Sequence, residues 1–157
     1  MMILLAWVHV VAAVTWIGGM VFLSVVVVPV FRRGSFGADR RILFQTLARR
    51  FRILVWATIV LLIVTGPLLV SSRTGTVEAS EEWRSLLQVK IWLVAGLVLL
   101  TAVHDFWLGP FVGRLRRNGS DSSPADQLLV RLSAVVARAG LVLALAVLFI
   151  AVALART

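Results

Sequence analysis

Five ionisable side chains lie inside stretches of sequence that are otherwise apolar: His9, Lys90, His104, Asp105 and Arg138. Placing such a group at the centre of a membrane helix costs about 2.5–3.5 kcal/mol on insertion scales, so each one calls for a reason. Imidazoles can ligate a metal or a haem iron, and a lysine can ligate or neutralise an anion. A carboxylate and a guanidinium can pair, which lowers the cost of holding both in lipid. On a helix, Lys90, Val94, Leu97, Thr101 and His104 follow at steps of four, three, four and three and so form one stripe. Lys90 and His104 are then about 21 Å apart along the axis and cannot share a site. His9, Ala13, Trp16 and Met20 make a second stripe, flanked by Gly18 and Gly19, whose missing side chains permit close helix approach.

The elements that must carry these stripes are four apolar runs, over about residues 3–30, 53–70, 86–108 and 132–155. Each can cross a hydrocarbon core of about 30 Å, which takes roughly 20 helical residues. Their lack of strict alternation excludes barrel strands, and backbone in lipid must satisfy itself. The fold class is therefore all-α: a single domain, residues 1–157, forming an integral membrane four-helix bundle. His9 and Lys90 are expected at a shared depth in its outer half. Asp105 and Arg138 are expected to form a structural ion pair near its inner end, with His104 beside it as a secondary candidate site. Simple packing accounts also exist: a bonded imidazole at His9 and a snorkelling Lys90.

Charge gives the orientation. The net charge is +9 over 157 residues, of which 61% are hydrophobic. The segment 31–52 carries seven arginines against Asp39, and the segment 109–131 carries Arg114, Arg116, Arg117 and Arg131 against Asp121 and Asp126. These are the topogenic signals of cytoplasmic loops, which put both termini outside in the cytoplasmic (inner) membrane of a bacterium. The same reading explains the basic excess without a nucleic-acid partner. The middle segment, with Glu78, Glu81 and Glu82, is then external. There is no cysteine, so thiolate metal sites and thiol redox chemistry are excluded. The first run lacks a preceding basic residue and is too long for a signal core, so it is expected to remain as a helix.

Between the runs, Gly34 to Gly37 read as a turn and Asp39 as a helix cap. Leu43, Phe44, Leu47 and Phe51 form an apolar stripe suited to the membrane interface ahead of the second span. Pro67 should kink that span near its outer end. The polar run 118–124 reads as a loop. The first and third runs both end in a proline followed by paired arginines, Pro29 with Arg32 and Arg33, and Pro110 with Arg116 and Arg117. Two hairpins in tandem would explain this.

Several short motifs carry a family resemblance. They are Trp7-x-His9, Trp16-Ile17-Gly18-Gly19, Pro29, Arg49-Arg50-Phe51, Thr65-Gly66, Gln88-Val89-Lys90, His104-Asp105-Phe106 and Gly109-Pro110. Together they resemble the membrane domain of the copper-resistance D family and, more distantly, the small bacterial membrane protoporphyrinogen oxidases. The first resemblance implies copper transport or homeostasis across the inner membrane. The second implies a haem b protein that depends on a histidine in helix one and a lysine in helix three, the positions of His9 and Lys90. Its fourth-helix Asn-Glu-x-Pro pattern is replaced here by Ser133-Ala134-Val135-Val136, which favours haem binding over protoporphyrinogen oxidation.

Ligand chemistry then gives two expectations. Haem b needs one axial imidazole, an apolar slot and cations for its propionates. His9, Trp16, Gly19, Lys90 and Arg84 meet that need, which would make the protein a haem-dependent oxidoreductase with an electron-transfer partner. Copper as Cu(I) prefers two or three soft donors. Here they would be His9 and Met20, with Met1 and Met2 nearby in sequence. A third possibility is an accessory subunit without a cofactor, and the bundle could also form a homo-oligomer.

Overall fold

The computed structural model describes residues 1–33, 40–74, 80–118 and 123–156, and these are helical almost throughout. The expected turn at residues 34–37, the cap at Asp39 and most of the loop at 118–124 lie outside the described residues. Four helices are long and apolar enough to cross a membrane: Met2–Phe31, Ile42–Ser72, Glu81–Arg114 and Asp126–Arg156. The protein is a multi-pass membrane protein. The chain divides into two units, Met1–Ala79 and Ser80–Thr157, each built around a pair of long helices.

In the first unit, α1 (Met2–Phe22) continues through a π-helical turn, Leu23–Val27, into α2 (Val28–Arg33). It packs against α3 (Arg40–Thr74). His9 meets Thr65, Gly19 meets Phe51 and Phe31 meets Phe44, so the two helices run antiparallel. Their shared face is Ala12, Trp16, Ile17 and Val27 against Val55, Thr58, Ile59 and Thr65, all buried. The spacing of these positions is that of one helical stripe. Val10, Val14, Val60 and Ile63 point outward, as lipid-facing apolar side chains should.

The second unit repeats the plan. Here α4 (Glu81–Ala102) passes through a π-helical turn, Val103–Leu108, into α5 (Gly109–Asn118), and packs on α6 (Pro124–Arg156). Ser80 caps α4 by accepting from the Trp83 N–H at 3.1 Å, and Glu81 and Glu82 complement the positive end of the helix. Leu97, Ala144, Val147 and Leu154 form the buried face, with Gly96 set against Leu143. Leu97 belongs to the stripe expected to face inward, and it is fully buried.

The two π-turns share a cause. Proline lacks the N–H that closes an α-helical turn, and its ring collides with the carbonyl four residues back. Just before Pro29, the Val28 N–H bonds five residues back to the Leu23 carbonyl; just before Pro110, the Gly109 N–H bonds back to the His104 carbonyl. The extra residue per turn lets each helix absorb a proline and continue.

The helices also outrun the apolar windows. Residues 40–52 belong to α3 itself, because Arg, Leu, Gln and Ala are good helix formers and no breaker interrupts them. The expected stripe in this stretch splits: Phe44 packs on Phe31 at 5.4 Å between ring centroids and Phe51 lies against Gly19, whereas Leu43 and Leu47 are exposed. The helix runs through Pro67 to Thr74, and α6 begins at Pro124, well ahead of the apolar window that opens near residue 132.

Candidate functional site

His9 has a built environment within the first unit. Its Nδ1 lies 2.7 Å from the Thr65 Oγ1, and that hydroxyl donates to the Leu61 carbonyl at 2.7 Å. A threonine hydroxyl has one proton. With that proton given to Leu61, the oxygen accepts from the imidazole, so Nδ1 carries the hydrogen; in the neutral ring the lone pair is then on Nε2. A neighbour's hydrogen bond to one ring nitrogen fixes the orientation of the imidazole, as it does for ligating histidines. Thr65 is 6% exposed, so the anchor is shielded. Gly66 lies beside the ring, where an added Cβ would make an ordinary contact 3.6 Å from the imidazole Cε1.

Further along α1 the stripe holds two other expected site residues. Trp16 is buried, and its indole N–H finds no acceptor among the described residues. Met20 is half-buried. Eleven residues of helix separate Met20 from His9, about 16 Å at 1.5 Å per residue, so one ion cannot be held by both. Gly19 is committed to helix packing, because a Cβ there would collide with the Phe51 ring. Gly18, by contrast, has open space beside it.

The remaining candidates lie in the second unit. Lys90 is half-buried on α4, one face with Leu97, and Arg84 is exposed in the first turns of the same helix. His104 and Asp105 fall in the π-turn, where Nδ1 and Oδ1 approach to 3.2 Å. Their side chains are 38% and 18% exposed. Asp105 thus pairs with its sequence neighbour, while Arg138, its expected partner, is exposed on α6. Among the described residues there is no cluster of three or more His, Cys, Asp or Glu able to hold a metal ion.

Sequence reasoning singled out His9 as a candidate but did not pair it with Thr65. The available signal was depth: Thr65 near the C-terminal end of the second span matches His9 near the N-terminal end of the first.

A family model described as Copper resistance protein D matches residues 45–154, taking in α4 to α6 and all of α3 beyond its first turns. The α1 helix, with His9, lies outside the matched residues. An uncharacterized protein of Aquifex aeolicus (strain VF5) is 33% identical over 107 residues, covering 68% of this chain and 69% of that protein. No solved structure matches.

Proposed function

The chain belongs to the copper resistance protein D family, and on that premise we propose that it handles copper in the membrane, with His9 as a ligand. The observation that carries this reading is the anchored imidazole, His9 bonded to Thr65 and Thr65 to Leu61. Imidazole suits copper, and a fixed tautomer gives the ion a defined donor. Among the described residues the donor set around His9 is sparse, without cysteine and with Met20 out of reach. That sparseness suits an ion in passage, since a conducted ion must bind weakly enough to leave. Met20 then acts as a separate soft donor farther along the same face. Haem b at His9, which ligand chemistry alone favours, has no support from the family.

A titration of the detergent-purified protein with Cu(I), read against a chromophoric chelator, tests the reading. His9→Ala is expected to lower the affinity at least tenfold while leaving yield and helicity unchanged, and His104→Ala to leave it intact. Copper binding unaffected by His9→Ala would overturn the assignment of the ligand. A Soret band in the purified protein that vanishes in His9→Ala would replace copper with haem. Neither copper nor haem would leave an accessory subunit without a cofactor.

A further inference from the structure

At the basic end of the second unit, the π-turn and the start of α5 open a groove against α6. It has a volume of about 330 Å³ and is lined by Phe106, Trp107, Pro110, Phe111, Leu129 and Arg114 among others. That volume is at the small end for ligand pockets and fits part of a chain-like ligand rather than a large planar one. Phe106, Trp107 and Phe111 are all exposed, so their rings form an open apolar wall rather than a core. Arg114 is the first arginine or lysine after Lys90 in the sequence, and it is exposed.

We propose that this groove is a binding site for one anionic phospholipid. An acyl chain lies along the rings of Phe106, Trp107 and Phe111, and the lipid phosphate rests on the Arg114 guanidinium. The lining has the order of such a lipid, apolar rings followed by a cation, and aromatic side chains are enriched where membrane meets water. A guanidinium offers a planar fork of donors that matches phosphate oxygens. Charge complementarity selects an anionic headgroup. In the sequence, the segment 109–131 carries Arg114, Arg116, Arg117 and Arg131 against Asp121 and Asp126 and is net positive. The π-turn is part of the device, because it shifts the ring-bearing residues relative to α5. This site is independent of any role for His9.

Native mass spectrometry of the full chain provides the test, with phosphatidylglycerol and phosphatidylcholine of identical acyl chains as probes. The wild type is expected to retain phosphatidylglycerol about fivefold better, the factor equivalent to about 1 kcal/mol per basic residue at an anionic surface. Arg114→Gln should abolish that preference, Arg114→Lys should keep part of it, and Phe111→Ala should weaken retention of both lipids. Arg84→Gln, at the far end of the same transmembrane stretch, should change nothing. Equal retention of the two lipids by the wild type would overturn the proposal. So would an unchanged preference in Arg114→Gln, or an equal loss in Arg84→Gln, which would reveal diffuse charge instead of a site.

Discussion

At the scale of single residues, the His9–Thr65–Leu61 chain of hydrogen bonds makes the sharpest demands. Thr65→Val keeps the shape of the side chain but removes the oxygen, leaving a shielded imidazole N–H without its acceptor. Interhelical hydrogen bonds in membrane proteins contribute about 0.6 kcal/mol on average and up to about 1.7. A double-mutant cycle of His9→Ala with Thr65→Val, followed by unfolding in detergent, should yield a coupling in that range. Additive losses would mean that the contact is not made. If His9 ligates copper, Thr65→Val should also weaken binding about 10- to 100-fold, with Thr65→Ser restoring most of it. The sequence marks His9 clearly, because an imidazole in an apolar run has few neighbours to confuse it. Thr65 is harder to see, since threonines in membrane helices commonly bond their own backbone, as Thr58 does to Val55 and Thr101 does to Leu97. Only the register between α1 and α3 reveals that Thr65 serves a second partner, and no local pattern encodes that register.

Register is a property of elements, and in the first unit Gly19 helps to set it. Hydrophobic attraction between helices is absent in lipid, so close packing decides how they dock. Gly18 and Gly19 are adjacent in sequence, yet they predict opposite mutational outcomes. Gly19→Ala drives a methyl group into the Phe51 ring and should cost about 1–3 kcal/mol as overpacking. Gly18→Ala meets nothing and should stabilise the helix by up to about 1 kcal/mol through propensity. Phe51→Leu should relieve part of the Gly19→Ala loss. Equal stabilities of the two alanine variants in detergent unfolding would contradict the packing of α1 on α3. The four spans themselves are plain from apolar length, which lipid enforces. Helix ends are not, because hydropathy reports where lipid stops and says nothing of where hydrogen bonding stops. The π-turns are likewise hidden: Pro29 and Pro110 signal a disturbance, but only the backbone shows that it is absorbed one turn upstream.

For the whole molecule, the two units follow one plan, and the parallel extends to individual positions. The step along the chain that carries Pro29 to Pro110 also carries Val28 to Gly109 and Leu23 to His104, the two pairs that close the π-turns. The same step carries His9 to Lys90, so the two polar residues first singled out in the sequence occupy matching positions in successive hairpins. A tandem repeat would predict that both hairpins enter the membrane in the same sense. Charge predicts the same arrangement, because each proline is followed by arginines of the kind that favour a cytoplasmic location for the connecting segment. Reporter fusions after Gly37 and after Asp121 should therefore both read cytoplasmic, and a fusion after Glu78 external. Moving charge should move the topology: replacing Arg114, Arg116 and Arg117 by glutamine weakens the second signal and should raise the external fraction at Asp121. The Gly37 fusion should be unaffected, because its own arginines remain. Opposite locations for Gly37 and Asp121 in the unaltered chain would exclude a parallel repeat and would put His9 and Lys90 on inverted helices.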